Sequence, residues 1–382
     1  MHKRIIILGS TGSIGQAALE VVTALGDEVE IVGLAAGNNW RLLAEQAARF
    51  GVASVAIASE NGYDALRRAC PNGTNVLAGA PSVAELVHQS DADLVVAAIV
   101  GAAGLPATLA AVERGMDVAL ANKESLVAAG SLIMPLARER GSRLIPVDSE
   151  HSAVFQALQC GRWEEVRKIY LTASGGPFRT WSAARIEQAT LAEALQHPTW
   201  EMGPKITIDS ATMMNKALEV IEAVWLFDVT PEQVQVLVHP ESIVHAMVEY
   251  CDGSVVAQLG LPDMKLPIQY AITFPRRVSG LAEPLRWEQV GSLNFESPDL
   301  AKFPALRLGY EAARRRGSSG AVLNAANEAA VERFRNGEIR FGEIATLTEQ
   351  VCQRHRWMEA PTLAELLECD AWARQEVSAC CR

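Results

Sequence analysis

Arg4-Ile5-Ile6-Ile7-Leu8-Gly9-Ser10-Thr11-Gly12-Ser13-Ile14-Gly15 decides the fold class. A short apolar run meets a glycine-rich turn and then an Ala-rich stretch of helical character, so the segment reads as strand, tight loop and helix N-terminus. Small residues in such a loop let the backbone approach a pyrophosphate, and the helix start offers unpaired N–H groups and a favourable dipole. The glycine spacing is a variant of G-x-G-x-x-G, for which a plain tight turn is the alternative. Its place directly behind a strand and inside a full β/α unit favours a nucleotide loop.

Outward from this segment, short apolar runs at Val29–Ala35, Ser54–Ile57, Leu94–Ile99, Val118–Leu120 and Leu144–Val147 alternate with Ala-rich amphipathic stretches. That rhythm predicts an α/β, doubly wound parallel sheet over residues 1–150. From Val166 to about Phe274 the pattern changes. Val234–Val238, Ile243–Tyr250 and Ser254–Leu259 follow one another, and Asp252-Gly253 is a hairpin signal. A mostly antiparallel sheet with a helix at Ala211–Leu226 is expected in a central α+β domain over 151–285. The stretch from about Pro275 to Pro304 is rich in Pro, Gly and Ser, which suits a linker, placed at 286–304. Ala305–Arg316, Gly320–Asn336, Ile339–Arg356 and Leu363–Cys380 read as four helices of a C-terminal bundle over 305–382.

With 382 residues the chain exceeds the roughly 250–300 at which single cores stop growing, so several domains are expected. Residues are 49% hydrophobic and 21% charged, as in a globular protein. No apolar run approaches the ~20 residues of a membrane span, and Met1-His2-Lys3-Arg4 leads straight into the first strand, leaving no room for a targeting peptide. A cytoplasmic location without membrane contact is expected. The net charge of -11 argues against a general nucleic-acid binder, while local donors can still hold an anionic small molecule. Cys70, Cys160, Cys251, Cys352, Cys369, Cys380 and Cys381 show no paired metal spacing and read as reduced thiols.

At the end of the second strand, where an acid would read the adenosine ribose, stand Ala35-Ala36-Gly37-Asn38-Asn39, with Arg41 just beyond. An acid would repel a 2′-phosphate, so its absence favours NADP(H) over NAD(H). Arg41 reads equally well as a solvated helix residue. Asp148-Ser149-Glu150 ends the last strand of the first domain, where ligands of open α/β sheets bind. On an extended segment, carboxylates at i and i+2 point the same way and call for a cation between them. A hard, oxygen-liganded ion such as Mg²⁺ or Mn²⁺ fits. In Asp209-Ser210-Ala211-Thr212-Met213-Met214-Asn215-Lys216-Ala217-Leu218-Glu219, Asp209 or Ser210 can cap the helix, and Asn215, Lys216 and Glu219 share a face. Asn, Lys and Ser form a phosphate-recognition set. Glu219 adds a third metal carboxylate, an exposed Lys–Glu pair being the plainer alternative. Loops at Ala173–Phe178 and His197–Gly203 add a hydroxyl, free N–H groups, an imidazole and an indole, and the second loop suits a lid that excludes water.

These stretches resemble the 1-deoxy-D-xylulose 5-phosphate reductoisomerase family nearly end to end. The likeness runs through LGSTGSIG from Leu8, LANKESL from Leu120, PVDSEHSA from Pro146, TASGGPF from Thr172 and HPTWEMGPKITIDSATMMNKALEVIEA from His197. It continues through VHPESIVHAMVEYCDGSVVAQLG from Val238 and LPDMKLPIQYA from Leu261 to VLNAANEAAV from Val322. It implies a Rossmann-like first domain, a catalytic second domain with a lid near 196–203, and a homodimer. It further implies reduction and rearrangement of 1-deoxy-D-xylulose 5-phosphate to 2-C-methyl-D-erythritol 4-phosphate, in the non-mevalonate route to isoprenoids, with NADPH and Mg²⁺ or Mn²⁺, Co²⁺ being a further candidate.

By motif, the resemblance implies metal ligands Asp148, Glu150 and Glu219. Substrate would be held by Ser149, Glu150, Ser174, His197, Ser210, Asn215, Lys216 and Glu219, with Lys123 beside the reacting carbons and Trp200 over them. NADPH would meet Thr11, Gly12, Ser13, Ile14, Gly37, Asn38, Asn39, Asn122, Glu124 and Gly203. Many relatives carry Lys or Arg after Gly37 where this chain has Asn38, which leaves the strength of the NADPH preference open. The alternatives are an NADP-dependent semialdehyde or homoserine dehydrogenase, the former needing an activated cysteine, and a nucleotide-sensing regulator with no use for three carboxylates.

Overall fold

The computed structural model describes residues 2–200 and 202–380, so Glu201 of the expected lid and Cys381 lie outside the described residues. The chain divides into two compact units. The first comprises Met1–Ser125, Ile133–Ser152 and Asp263–Glu283, and the second Leu126–Leu132, Ala153–Pro262 and Pro284–Arg382.

In the first unit, β1 (Lys3–Leu8), β2 (Val29–Ala36), β3 (Ser54–Ile57), β4 (Asn75–Ala78), β5 (Leu94–Ala97), β6 (Asp117–Leu120) and β7 (Leu144–Pro146) form one sheet in the order β4-β3-β2-β1-β5-β6-β7. Every pairing is parallel. Ile5, Ile6 and Ile7 are wholly buried, as the continuous apolar run of a two-faced parallel strand requires. Strands are added outward from β1 in one direction and then from β5 in the other. The crevice at the strand ends of β1 and β5 is therefore the topological switch point at which such sheets bind ligands. The helix Lys265–Thr273 returns to this unit and packs on the helix Ser13–Leu25. Lys265 Nζ reaches Glu20 Oε2 at 2.9 Å, and Lys3 Nζ donates to the Ile272 carbonyl at 2.6 Å.

The second unit holds β8 (Val166–Ala173), β9 (Val234–Val238), β10 (Val244–Tyr250) and β11 (Val255–Leu259) in the order β11-β10-β8-β9. The pairs β10–β11 and β10–β8 are antiparallel and β8–β9 is parallel. The expected hairpin forms at Asp252-Gly253, where Gly253 has φ +87 and Asp252 Oδ1 accepts from the Ser254 N–H at 2.9 Å. The helices Ala305–Arg315, Ser319–Arg335, Glu343–Arg354 and Leu363–Cys380 close the chain and share one core with the sheet. Ahead of them, backbone bonds between Val238 and Glu296 (2.8 and 2.9 Å) pin the 284–304 segment to β9. The buried His239 Nδ1 adds a bond to the Asn294 carbonyl at 2.8 Å.

One expectation needs correction here. The helix read as Ala211–Leu226 starts only at Met214, and a separate helix, Pro204–Ala211, precedes it, the break falling at Met213, whose φ is +62. Asp209 and Ser210 therefore sit in the last turn of the first helix and do not cap the second. Thr212 Oγ1 accepts from the Met214 N–H at 3.2 Å across the break.

Candidate active site

The first unit builds the nucleotide loop from β1. Gly9 takes φ +79, and the backbone N–H groups of Gly9 and Ser10 both donate to the Ala35 carbonyl at 2.8 and 2.9 Å, folding the loop over the sheet. Ser10 is buried and its hydroxyl donates to Gln46 Oε1 at 2.7 Å, while Gln46 Nε2 returns a bond to the Ser10 carbonyl at 2.9 Å. Gln46 was not anticipated as a site residue. The signal available was an amide on the buried face of the helix Trp40–Phe50, a position otherwise given to Leu43, Ala44 and Ala47.

The helix Ser13–Leu25 starts with Gly12 as its N-cap and no side-chain cap, which leaves its first N–H groups to solvent or an anion. A Cβ on Gly15 would stand 2.2 Å from the Gly9 carbonyl oxygen and 2.5 Å from Ser10 Cα. Both neighbours are backbone and cannot step aside. Gly15→Ala is expected to cost about 1–3 kcal/mol of stability by overpacking and to weaken nucleotide binding with it. An unchanged urea midpoint would show that the loop yields more easily than this.

In and just after that turn Gly12 and Ser13 are exposed and Thr11 and Ile14 half-buried, and Gly37, Asn38 and Asn39 are exposed after β2. Asn39 Oδ1 caps the next helix by accepting from the Leu42 N–H at 3.2 Å. Arg41 is exposed with its guanidinium 5.2 Å from the Trp40 ring centre. Asn122 is buried and its amide is taken up by main chain. Nδ2 donates to the Gly101 carbonyl at 2.9 Å and Oδ1 accepts from the Ser125 N–H at 3.1 Å, which caps the helix Lys123–Arg140. That cap fixes Lys123, and Lys123 Nζ forms an ion pair with Asp148 Oδ2. Glu124, next on the helix, is buried too.

Asp148-Ser149-Glu150 is not an extended segment. The helix Ser149–Ala157 begins immediately after Asp148, whose carbonyl accepts from the Ser152 N–H at 2.8 Å. Glu150 lies in that helix's first turn, where a negative charge meets the positive end of the dipole. The Ser149 hydroxyl donates to Glu150 Oε2. Helical rather than extended geometry thus sets the directions of the two carboxylates, and the first unit brings Lys123, Asp148, Ser149 and Glu150 to the sheet's carboxyl edge.

The second unit gathers two further sets. His197 is the hub of the first. Its Nδ1 accepts from the backbone N–H of Trp200 at 2.9 Å and of Thr199 at 3.2 Å, so the hydrogen of the neutral ring is on Nε2. Nε2 lies 3.0 Å from Ser174 Oγ and 3.1 Å from Ser210 Oγ. Three residues from three separate loops and helices thus present polar atoms at one point. In the second set, Glu219 is fully buried in the helix Met214–Leu226. Asn215 Nδ2 donates to one of its oxygens and Lys216 Nζ to the other, each at 2.6 Å. Trp200 is half-buried with its ring 6.2 Å from that of His245, and Gly203 is the exposed N-cap of the helix Pro204–Ala211.

Family models described as 1-deoxy-D-xylulose 5-phosphate reductoisomerase, its C-terminal domain and the DXP reductoisomerase C-terminal domain match residues 5–130, 144–227 and 259–376. A 1-deoxy-D-xylulose 5-phosphate reductoisomerase from Chloroherpeton thalassium is 51% identical over 98% of this chain and 97% of its own length. The chain belongs to the 1-deoxy-D-xylulose 5-phosphate reductoisomerase family. A second reductoisomerase, from Geotalea uraniireducens, is 50% identical over the same shares, 98% and 97%. The Zymomonas mobilis reductoisomerase, solved in complex with NADPH, superposes with a TM-score of 0.95 at 42% identity over 100% of both chains. A reductoisomerase solved with NADPH, fosmidomycin and magnesium gives 0.92 at 40%, over 99% of this chain and 98% of that one.

A reductoisomerase is an oxidoreductase, so the regulator alternative falls away, and the other dehydrogenases fall with it. Three of the cysteines agree. Burial pushes the Cys352 thiol up to about 12 and raises those of Cys70 and Cys369, opposite to what a thiolate nucleophile needs. Among the described residues, no helix is long and apolar enough to cross a membrane.

Proposed function

We propose that this chain converts 1-deoxy-D-xylulose 5-phosphate to 2-C-methyl-D-erythritol 4-phosphate, using NADPH and a divalent ion, as a step of the non-mevalonate route to isoprenoids. The observation that carries the proposal is the likeness to reductoisomerases at about half identity over nearly the whole chain. The donors fit the two groups. The uncapped helix start behind Gly9–Gly12 suits a pyrophosphate, and the carboxylates of Asp148, Glu150 and Glu219 are the hard oxygens that Mg²⁺, Mn²⁺ or Co²⁺ takes. When bound, the ion supplies Lewis-acid polarisation of the substrate's carbonyl and NADPH supplies the hydride.

The protein's part is to hold and shield. Asp148, Glu150 and Glu219 would hold the ion, and Lys123, already paired with Asp148, would stand beside the reacting carbons. Ser174, His197, Ser210, Asn215 and Lys216 would bind the substrate's phosphate and hydroxyl groups, with Ser149 adding one contact. A phosphate anchored away from the reacting carbons keeps them in register. Trp200, on the 196–203 loop, would cover the carbon skeleton and exclude water. In this reading residues 1–150 bind the nucleotide, 151–285 carry catalysis and dimer formation, and 286–304 link them to the helical domain 305–382. The enzyme works in the cytoplasm as a homodimer.

The test is NADPH consumption with 1-deoxy-D-xylulose 5-phosphate, with and without Mg²⁺ or Mn²⁺. Oxidation that needs both substrate and ion is expected, with kcat/KM for NADPH above that for NADH because no acid follows β2 and Arg41 is exposed there. Ion-independent turnover would remove the metal from the reaction. Equal efficiency with the two cofactors would remove Arg41 from 2′-phosphate recognition.

A further inference from the structure

The helix Pro204–Ala211 is eight residues long, too short to hold its shape or place by itself, so its position is set by what grips it. The grip is polar and buried. Asp209 is 1% exposed, and its two oxygens are held separately: Oδ1 accepts from Asn327 Nδ2 at 2.8 Å and Oδ2 meets Lys205 Nζ at 2.9 Å. Asn327 comes from the helix Ser319–Arg335 and is wholly buried there, one turn after the buried Asn324 and beside Ala326 and Ala330. Its Oδ1 meets no protein donor among the described residues. A buried amide aligned on a buried carboxylate fixes direction as well as distance, which an apolar side chain of the same size does not. The residue after Asp209 is Ser210, whose hydroxyl meets His197 Nε2.

We infer that Asn327, acting through Asp209, is a positioning residue for substrate binding: it fixes the last turn of the short helix so that the Ser210 hydroxyl faces the point shared with His197 and Ser174. This rests on the assignment of Ser210 to the substrate's phosphate. Two features of the site make the placement sensitive. The chain reverses into a left-handed residue at Met213 only three positions later, so the turn cannot be held from its C-terminal side by a continuous helix. And a shift of a few tenths of an ångström would open the 3.1 Å contact of Ser210 with His197.

The test compares Asn327→Leu with the exchange variant Asn327→Asp/Asp209→Asn, which restores one amide–carboxylate bond with the groups reversed. For Asn327→Leu, KM for 1-deoxy-D-xylulose 5-phosphate is expected to rise about tenfold or more, the scale of one lost charge-assisted hydrogen bond, while KM for NADPH and kcat change far less. The exchange variant is expected to recover part of that loss. A second readout needs no turnover: amide hydrogen exchange across 204–212 is expected to quicken in Asn327→Leu and to slow again in the exchange variant. Unchanged exchange in Asn327→Leu, or parallel losses in kcat and in both KM values that follow the fall in thermal midpoint, would overturn the inference and leave Asn327 as ordinary packing. Should Asn327→Leu not fold, Asn327→Ala makes the same comparison. If the wild-type protein turns over no 1-deoxy-D-xylulose 5-phosphate, the proposed function fails while the exchange measurement still decides the role of Asn327.

Discussion

Asp148→Asn, Glu150→Gln and Glu219→Gln are each expected to lower kcat/KM by about a thousandfold or more, the effect of losing roughly 4 kcal/mol of transition-state charge stabilisation. The amides are preferable to alanine for a structural reason. Asp148 is ion-paired with Lys123, whose side chain is 7% exposed, and Glu219 takes hydrogen bonds from Lys216, whose side chain is 4% exposed. Truncating either carboxylate takes away the acceptor and the packing volume as well as the counter-charge of a buried ammonium, and that destabilises the protein independently of chemistry. An amide of the same shape keeps a hydrogen-bond acceptor for the lysine and removes the charge that an ion requires. NADPH binding should stay near wild type, because the Gly9–Gly15 turn uses other elements. Dialysis against a chelator should abolish turnover in the wild-type enzyme, and added Mg²⁺ or Mn²⁺ should restore it. A variant with normal ion-dependent activity would remove its residue from the ligand set.

The N-terminal sheet was legible because its strands are buried on both faces, so each appears as an unbroken apolar run ahead of an amphipathic stretch. Asn75–Ala78 escaped notice for the opposite reason: it is an edge strand with exposed and half-buried residues. In the second unit the hairpin was local and visible, but β8 was not. Arg167 and Lys168 interrupt its apolar residues, and only its place between β9 and β10 makes it the central strand. The break at Met213 left no mark because the positive φ falls on a methionine rather than a glycine. The return of Asp263–Glu283 to the first unit rests on contacts with residues hundreds of positions away, which no periodicity records.

The candidate site divides along the same line. The candidates came from contiguous motifs, and of these Asn215, Lys216 and Glu219 do share a helix face. Pattern and spacing alone did not join groups from distant segments: His197 with Ser174 and Ser210, which only the family resemblance put in one set, Gln46 under Ser10, and Asn327 against Asp209. The helical start at Ser149 was missed because Val147-Asp148-Ser149 continues the strand pattern until the backbone turns.

Trp200→Ala is expected to lower kcat/KM for 1-deoxy-D-xylulose 5-phosphate by about ten- to a hundredfold while leaving the unfolding midpoint nearly unchanged. The fold-change corresponds to roughly 1.4–2.7 kcal/mol, the worth of burying a large part of an indole against a ligand. Stability should be spared because Trp200 is only half-buried and its ring stands 6.2 Å from that of His245 between centres. The loop that carries it is shaped from within. His197 Nδ1 binds the N–H groups of Thr199 and Trp200, while Nε2 points to the two serine hydroxyls, so one ring couples the backbone of the loop to the proposed substrate pocket. His197→Gln can keep one of these functions and not both, and should raise KM more than it lowers kcat. If the loop is a lid, amide exchange and proteolysis across 196–203 should slow when a substrate analogue and Mg²⁺ are added together, and slow much less with either alone. The coupling through His197 predicts that this protection is lost in His197→Gln even at saturating analogue. Equal protection with and without ligand would show that the segment is fixed packing, and the activity loss in Trp200→Ala would then report a contact in a preformed pocket rather than a closure.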